Sequence, residues 1–289
     1  MNTMAITGTT QLLGVIGDPV KHSLSPVMHN AALAELGADY VYVAFPIRSE
    51  DLERAIAGFS AIGVRGFNVT IPHKQTIMPL LQEVTTDAQA VGAVNTVWRT
   101  RQGWAGSNTD VAGFMAPLKD SGEWTEKTAV VLGNGGAARA VVAGCTQLGF
   151  SKILIFGRNP QKLDAFVDSW QDSALKPPLS VHPLDDIADS IPTADLIVNT
   201  TPVGMPAAAA ESPLEAEVLA GAKSSAVAYD LIYTPRPTCF LQLAAQRGLT
   251  IIDGAEMLVQ QGAAALEIWL NRPVPVDTMR RALLAKLEA

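Results

Sequence analysis

The stretch Thr128-Ala-Val-Val-Leu132, followed directly by Gly133-Asn-Gly-Gly-Ala-Ala138, decides the fold of this chain. A short apolar run that ends in closely spaced glycines and leads into a helical pattern over 139–148 predicts a strand, a tight turn and a helix. Short apolar runs recur downstream, each followed by glycine, proline or a helix-like segment, at 152–156, 195–199, 226–230 and 250–253. Such alternation is typical of a parallel sheet with helices on both faces, so residues 114–254 are predicted to form one doubly wound α/β domain.

The first hundred residues alternate in a similar way, although less regularly. Apolar runs predict strands at 12–16, 39–44, 66–70 and 93–98, with helix-like stretches at 26–36 and 50–59 between them. We therefore expect a second α/β unit with a mainly parallel sheet over residues 1–113. From Ala255 onward the chain is helical again as far as the region of Pro273, since proline cannot continue a helix.

The composition excludes several classes of protein. The 289 residues are 48% hydrophobic and only 17% charged, which excludes a disordered chain, and the net charge of −7 argues against a nucleic-acid-binding protein. No apolar run approaches the roughly 18–20 residues that span a membrane, and residues 1–10 lack the basic start and apolar core of a signal peptide. We therefore expect a soluble, cytoplasmic protein whose cysteines, Cys145 and Cys239, stay reduced. No Cys, His or Asp cluster has metal-binding spacing, so no metal is expected.

The glycine-rich turn points to a nucleotide cofactor. Gly133-x-Gly135-x-x-Ala138 fits the dinucleotide-binding pattern, in which the glycines allow a tight turn and a close approach to the diphosphate. An NAD site usually has Asp or Glu at the end of the second strand, for the ribose 2′-hydroxyl. This chain has Gly157-Arg158-Asn159 there, with Lys162 nearby. A guanidinium binds a 2′-phosphate that a carboxylate would repel, so the sequence favours NADP(H); the alternative is that Arg158 only caps a loop.

Four polar segments in the first half suggest a substrate site. They mostly lie at or just past predicted strand ends, at 22–26, 68–74, 95–96 and 108–110. Because open α/β sheets bind ligands outside the carboxyl ends of their strands, we expect the segments to converge. Their hydroxyls and amides, with Lys74 and Asp110, suit a polyhydroxylated, anionic small molecule. Two simpler interpretations stay open: Ser25-Pro26 is also typical of a helix N-cap, and Lys74 and Asp110 are also compatible with a surface ion pair.

Taken in order, these motifs resemble those of the shikimate dehydrogenases, NADP-dependent enzymes of the route to aromatic amino acids. The resemblance covers nearly the whole chain, from about 13 to 269. The motifs that establish it are Ser23-Leu-Ser-Pro26, Asn68-Val-Thr-Ile-Pro-His-Lys74, Gly92-Ala-Val-Asn-Thr96, Asn108-Thr-Asp110, Gly133-Asn-Gly-Gly-Ala137, Asn199-Thr-Thr-Pro-Val-Gly-Met205, Asp230-Leu-Ile-Tyr233 and Met257-Leu-Val-Gln-Gln261.

The resemblance implies the reversible reduction of 3-dehydroshikimate to shikimate by NADPH. Lys74 matches the catalytic lysine and Asp110 its partner carboxylate, and either can serve the proton transfer that a ketone reduction needs. Which of the two is the acid or base stays open, because such a pair can titrate as a coupled unit. The implied substrate contacts are Ser23, Ser25, Thr70, Lys74, Asn95, Asp110, Tyr233 and Gln261. The implied cofactor positions are Gly133, Asn134, Gly135, Gly136, Ala137, Arg158, Asn159, Lys162, Leu231 and Gly254.

The chain departs from the family pattern in the cofactor half. Gly157-Arg158-Asn159 stands where Asn-Arg-Thr is common, which keeps the basic residue but leaves the flanking contacts open. Asn134 stands where alanine is usual, and we expect this change to be harmless. His73 receives no catalytic role. The remaining histidines, His22, His29 and His182, are expected to pack or to lie on the surface.

The match of Gln261 has an architectural consequence. If Gln261 contacts substrate, the helices of 255–289 must complete the first domain, and the cleft lies between two domains that can close. Within the family the alternative is a quinate or dual-specificity dehydrogenase that uses NAD or NADP. Related quinate enzymes often have threonine at the position of Ser25, so this serine favours shikimate. A non-catalytic NADP-sensing protein is the alternative from another class, although it would not need Lys74 or Asp110. A homodimer is compatible with the sequence.

Overall fold

The computed structural model of the chain describes residues 6–119 and 121–288. The description omits residues 1–5 and 289 of the first predicted domain and residue 120 of the second. Half of the segment 1–10, for which the sequence predicts no signal peptide, therefore lies outside the described residues. The structure divides into two compact units. The first combines the described residues up to Gly113 with those from Val259 onward, and the second spans Phe114–Leu258. The helix that begins at Gly254 therefore belongs to both units.

The first unit contains a six-stranded sheet. Its strands are β1 (Gln11–Gly17), β2 (Tyr40–Pro46), β3 (Gly66–Val69), β4 (Glu83–Val84), β5 (Thr96–Arg99) and β6 (Trp104–Ser107). They lie in the order β2–β1–β3–β5–β6–β4, and neighbouring strands are parallel except where β5 pairs with β3 and β6. The prediction of a mainly parallel sheet is confirmed, with β5 reversed.

The reversal of β5 decides where its polar residues lie. The connection from β5 to β6 is only residues 100–103 long, and so short a turn joins antiparallel strands. Because β5 runs against its neighbours, its first residue, Thr96, lies opposite Asn68 near the end of β3 and opposite Ser107 at the end of β6. The polar segments that adjoin these three residues therefore meet at one edge of the sheet.

Six helices belong wholly or partly to the first unit. They are α1 (Ser25–Glu35), α2 (Leu52–Ala61), α3 (Thr86–Val91), the start of α4 (Asp110–Lys119), most of α9 (Gly254–Leu270) and α10 (Val276–Leu287). The C-terminal helix α10 packs against α1. Trp269 of α9 donates from Nε1 to the carbonyl of Val97 at 2.9 Å and occupies the space beside Gly66 that a side chain there would need. These contacts fix α9 on β3 and β5.

The second unit contains a six-stranded sheet in which every described pair is parallel. Its strands are β7 (Thr128–Leu132), β8 (Lys152–Gly157), β9 (Leu179–Pro183), β10 (Leu196–Asn199), β11 (Val227–Asp230) and β12 (Thr250–Ile252), and its further helices are α5 (Gly136–Gln147), α6 (Pro160–Asp168), α7 (Ala216–Leu219) and α8 (Cys239–Gln246). The order β12–β11–β10–β7–β8–β9 confirms the doubly wound, Rossmann-type prediction. The direction of winding changes between β7 and β10, which is where ligands bind in such sheets.

Several elements were not predicted because their sequences lack a clear pattern. The edge strand β9, Leu179-Ser-Val-His-Pro183, is only partly buried and has no continuous apolar run. Helix α4 contains Gly113 and Pro117, which are both unfavourable inside a helix. Strands β4 and β6 and helices α3, α7 and α8 were missed as well, whereas α10 lies within the predicted C-terminal helices of 255–289. Within the described ranges, no helix combines the length and the apolar character needed to cross a lipid bilayer.

Candidate active site

Lys74 and Asp110 form an ion pair in the first unit. The Lys74 Nζ atom lies 2.5 Å from Asp110 Oδ2, and the two side chains are 18% and 8% exposed. Lys74 lies in the turn after β3, where its carbonyl accepts the backbone N–H of Val94 at 2.8 Å. Asp110 begins α4, and Asn108 Oδ1 accepts its backbone N–H at 3.0 Å. The alternative of a surface ion pair is wrong, because both side chains are mostly buried.

The amide of Asn95 holds the second oxygen of Asp110. Asn95 directly precedes β5, which begins at Thr96 rather than at residue 93 as predicted. The Asn95 Nδ2 donates to Asp110 Oδ1 at 2.8 Å. Its Oδ1 accepts the backbone N–H of Thr109 at 2.7 Å, which defines the orientation of the amide. Gln261 of α9 lies alongside, with Oε1 3.4 Å from Asn95 Nδ2. Each carboxylate oxygen of Asp110 therefore has its own donor, which keeps the carboxylate in one orientation.

The predicted hydroxyl contacts lie on two neighbouring segments of the same unit. Ser23 Oγ accepts the backbone N–H of Ser25 at 3.3 Å in the turn before α1. The N-cap of α1 is Leu24, and Ser25 is the buried first residue of the helix, so the interpretation of Ser25 as an N-cap is wrong. Thr70 follows β3, and its backbone N–H donates to a β1 carbonyl at 2.9 Å. Because β1 and β3 are adjacent parallel strands, the segment with Ser23 and Ser25 and the segment with Thr70 start at the same edge of the sheet. Lys74 lies on the second of these segments.

Three buried side chains to which the sequence analysis gave no individual site role support this edge: His29, Tyr42 and Asn68. The Tyr42 hydroxyl donates to Asn68 Oδ1 at 2.7 Å, and Asn68 Nδ2 donates to the Asn95 carbonyl at 3.1 Å. The His29 ring stacks on Tyr42 with 4.1 Å between ring centres, and its Nδ1 lies 2.8 Å from the Ser25 carbonyl. Burial lowers the pKa of His29 to about 4, so the ring is neutral and Nδ1–H donates. The sequence signal that could have identified Tyr42 and Asn68 was the presence of a tyrosine and an asparagine in otherwise apolar strands, since buried polar groups need hydrogen-bond partners.

The histidines, cysteines and carboxylates do not form a metal centre in the described part of the chain. Over residues 6–119 and 121–288, no three such side chains lie close enough together to hold a metal ion. His73 precedes Lys74 in sequence, but its ring is fully buried with Nε2 2.6 Å from the Ile47 carbonyl. This geometry is that of a packed core histidine.

The glycine-rich turn of the second unit allows a close backbone approach. Gly133 has a φ of +102°, which side chains rarely adopt, and a Cβ there would lie 2.7 Å from Thr200 Oγ1. Gly135 is the N-cap of α5 and offers no side-chain hydrogen bond to the helix. The first N–H groups of α5 therefore have no side-chain cap, and the helix dipole favours a negative charge beside them. This turn fits the diphosphate of a dinucleotide.

Two cations lie just past the end of β8. Arg158 and Lys162 are exposed, and neither side chain makes a hydrogen bond or an ion pair with any residue that the structure describes. Asn159 caps α6, because its Oδ1 accepts the backbone N–H of Lys162 at 2.9 Å. The loop is thus capped by Asn159 rather than by Arg158. A guanidinium without an internal partner beside this strand end fits a ribose 2′-phosphate.

Leu231 and Gly254 approach each other through their backbones. Leu231 directly follows β11, and Gly254 begins α9. A Cβ on Gly254 would lie 2.1 Å from the Leu231 carbonyl oxygen, so only glycine fits without a shift of the chain. Tyr233 lies two residues beyond Leu231, half-buried, in the segment between β11 and α8. The structure therefore brings two predicted cofactor positions together at the end of β11.

Protein-family models match three parts of the chain. The shikimate dehydrogenase substrate binding domain matches residues 15–97, the shikimate / quinate 5-dehydrogenase model matches 117–234, and the shikimate 5′-dehydrogenase C-terminal domain matches 254–284. A protein of Synechocystis sp. named shikimate dehydrogenase (NADP(+)) is 59% identical over 285 residues, which cover 98% of each chain. The chain belongs to the shikimate dehydrogenase family. It is therefore an oxidoreductase of an NADP-dependent family.

Solved structures of this family share the fold. The shikimate 5-dehydrogenase of Thermus thermophilus, solved with NADP(H) and shikimate, is 34% identical with a TM-score of 0.83, over 95% of this chain and 99% of that one. The shikimate 5-dehydrogenase of Listeria monocytogenes, solved with shikimate and NAD, is 35% identical with a TM-score of 0.87, over 97% and 99%. The two-unit α/β architecture is thus that of the family.

The predicted site residues of this family member fall into two groups, one in each unit. In the first unit, Asn95 contacts both Asp110 and Gln261, and Asp110 contacts Lys74. Ser23, Ser25 and Thr70 lie on segments that adjoin the same sheet edge. The second unit holds Gly133, Asn134, Gly135, Gly136, Ala137, Arg158, Asn159, Lys162, Leu231, Tyr233 and Gly254. The individual roles of these residues remain predictions.

Proposed function

We propose that this chain catalyses the reversible NADPH-dependent reduction of 3-dehydroshikimate to shikimate. Membership of the shikimate dehydrogenase family supports the reaction. The observation that supports the chemistry is the mostly buried ion pair of Lys74 and Asp110, with 2.5 Å between Nζ and Oδ2. In this proposal the first unit supplies every substrate contact except Tyr233, and the second unit supplies Tyr233 and binds the cofactor.

The reaction needs a hydride at the ketone carbon and a proton at the ketone oxygen. The bound cofactor supplies the hydride. The Lys74 ammonium stabilises the negative charge that develops on the oxygen and passes one Nζ proton to it, which leaves a neutral amine. In the oxidation direction the amine takes the hydroxyl proton back. Asp110 accepts a hydrogen bond from Nζ and keeps it aimed, so the two groups act as one unit in proton transfer.

Hydroxyl and amide groups around this pair suit the carboxylate and hydroxyl groups of the substrate. The proposed contacts, besides Lys74 and Asp110, are Ser23, Ser25, Thr70, Asn95, Tyr233 and Gln261. Asn95 has a second role in this proposal, because its Nδ2 already donates to Asp110 at 2.8 Å. It holds the carboxylate in place while Asp110 orients Lys74.

The second unit supplies groups suited to each part of NADP(H). Backbone N–H groups of 133–137 bind the diphosphate at the uncapped start of α5. Arg158 and Lys162 bind the 2′-phosphate, which is supported by their exposure and by their lack of partners among the described residues. Asn159 fixes the start of α6 as its N-cap, and Leu231 and Gly254 complete the cofactor site.

An assay with two substrates and two cofactors tests the proposal against its alternatives. We expect the highest kcat/KM with shikimate and NADP+, compared with quinate and with NAD+. A preference for quinate with NAD+ would support a quinate dehydrogenase, to which the matched shikimate / quinate model also extends. Tight NADP+ binding without turnover of either acid would contradict the proposal and favour an NADP-sensing protein.

We also propose that the enzyme works in the cytoplasm, as the sequence predicts, and forms a homodimer. Cell fractionation tests the location, and light scattering of the purified protein tests the assembly. Recovery of the protein in a membrane fraction would contradict the cytoplasmic location. A monomeric mass at working concentration would contradict the homodimer.

A further inference from the structure

Asp230 is a fully buried carboxylate at the end of β11 that the proposed reaction does not use. Its Oδ1 accepts the Nδ2–H of Asn199 at 3.0 Å and the backbone N–H of Ile232 at 3.1 Å. Its Oδ2 accepts the hydroxyl of Thr238 at 2.7 Å. A buried carboxylate is costly unless donors surround it, and an apolar side chain of similar size would avoid that cost. The presence of Asp230 therefore needs an explanation beyond stability.

The partners of Asp230 lie at both ends of one connecting segment. Ile232 belongs to the start of the segment 231–237, which leaves β11. Thr238 ends that segment as the N-cap of α8, where its Oγ1 also accepts the backbone N–H of Leu241 at 3.3 Å. One carboxylate thus ties down both ends of 231–237. This segment contains Leu231 and Tyr233, the proposed cofactor and substrate contacts.

The third partner connects the neighbouring loop to the same carboxylate. Asn199 ends β10 and lies opposite Asp230 in the sheet. Its Oδ1 accepts the backbone N–H of Thr201 at 3.0 Å and the Thr201 hydroxyl at 2.7 Å, and its Nδ2 also donates to the Val203 carbonyl at 3.1 Å. The turn after β10 therefore depends on the same hydrogen bonds as the segment after β11.

The ionised form of Asp230 is the one that fits these partners. Burial raises the pKa of Asp230 to about 6, and its three donors oppose that rise, so above this pH the group is a carboxylate. Hydrogen bonds to an ionised acceptor are roughly twice as strong as neutral ones. An amide at this position would turn one of the two acceptors into a donor that faces either the Ile232 N–H or the Thr238 hydroxyl.

We propose that Asp230 is a positioning residue of the active site, which with Asn199 and Thr238 holds the segment 231–237 so that Leu231 and Tyr233 meet the cofactor and the substrate. This inference rests on the proposed function. Because Asp230 acts through the segment, its loss changes KM and kcat without removing a group that contacts either ligand. A displacement of about 1 Å at such a segment lowers kcat/KM by roughly 10–100-fold.

Four variants separate positioning from simple stabilisation. Asp230→Asn keeps the shape of the side chain but removes its charge, and Thr238→Val removes the hydroxyl donor, whereas Thr238→Ser retains it. Asp195→Asn is the matched control, because Asp195 precedes β10 at the end opposite to Asn199. It accepts the Thr128 backbone N–H and a Lys223 hydrogen bond, both at 3.0 Å, and has no contact with 231–237 among the interactions of the described residues.

Kinetics and hydrogen–deuterium exchange are measured for all four. We expect Asp230→Asn and Thr238→Val to lose roughly 10–100-fold in kcat/KM, and their amides at 231–237 to exchange at least about tenfold faster. Thr238→Ser should recover most of the loss. Asp195→Asn should lower the melting temperature but keep kcat and both KM values within about twofold of the wild type.

The outcomes also distinguish this inference from the proposed function. Wild-type kinetics in Asp230→Asn and Thr238→Val, or the same changes in Asp195→Asn, would overturn the positioning role. If Asp230→Asn does not fold, the pair Thr238→Val and Thr238→Ser decides the question. A wild-type protein without shikimate turnover would contradict the proposed function, whereas unchanged exchange at 231–237 in the variants would contradict the positioning role alone.

Discussion

Replacing Arg158 by alanine should weaken the binding of NADP+ and leave the binding of NAD+ unchanged. The Arg158 side chain is exposed and has no hydrogen bond or ion pair with the described residues, so its loss breaks no internal contact. Such a surface substitution changes the free energy of unfolding by less than about 0.5 kcal/mol. A hydrogen bond to a charged group contributes about 1.5–3 kcal/mol, so the Kd of NADP+ should rise roughly 10–150-fold.

Isothermal titration of the variant with NADP+, NAD+ and 2′,5′-ADP measures this effect without turnover. The Kd values for NADP+ and 2′,5′-ADP should rise together, because both ligands have the 2′-phosphate, while that for NAD+ stays constant. Lys162→Ala should show a smaller change of the same kind, since a lysine cannot bind phosphate in a bidentate manner. Equal losses for NADP+ and NAD+ would refute the assignment of Arg158 to the 2′-phosphate.

Buried contacts of Asp230, Gly254 and Tyr42 should each make a measurable difference to stability. Because burial raises the pKa of Asp230 to about 6, ionisation of this carboxyl destabilises the folded state as the pH rises from about 4 to about 6. The free energy of unfolding of the wild type, relative to that of Asp230→Asn, should therefore fall by up to about 3 kcal/mol over that range. Urea titrations at each pH measure this difference, and a difference that stays constant with pH would contradict the prediction. Gly254→Ala should lower the free energy of unfolding by about 1–3 kcal/mol and raise the KM for NADP+, because the new Cβ would lie 2.1 Å from the Leu231 carbonyl oxygen. A wild-type free energy of unfolding together with a wild-type KM would show that the backbone moves freely at this position. Tyr42→Phe should cost about 1–3 kcal/mol in thermal unfolding, because the buried Asn68 Oδ1 loses its hydroxyl donor at 2.7 Å, and an unchanged melting temperature would count against that contact.

The second unit was predictable because its central strands are buried on both faces. The runs that became β7, β8, β10 and β11 are continuous and apolar, and the turn at Gly133 needs glycine for both its φ and its contact with Thr200. Edge strands such as β9 are half-exposed and mix polar with apolar residues, so the same pattern was absent from them.

The site was predictable only in part, because sequence shows which polar residues follow strands but not which of them meet. The reversed direction of β5 brings Asn95 to Asp110, and the sequence alone left that direction open. The sequence identifies Asp230 as the first residue of a family motif but assigns no role to it. Its partners Asn199 and Thr238 lie 31 and 8 residues away along the chain. The register of β10 with β11 brings Asn199 to the carboxylate, and the path of the segment 231–237 brings Thr238 back to it.

The turnover number of Lys74→Met with shikimate and NADP+ tests the central claim most directly. Methionine keeps most of the length of the side chain but removes the ammonium that lies 2.5 Å from Asp110 Oδ2. If Lys74 holds the proton for the reaction, kcat should fall by roughly 10²–10⁴-fold while circular dichroism shows a folded protein that still binds NADP+. A folded variant whose kcat stays within about tenfold of the wild type would contradict the claim.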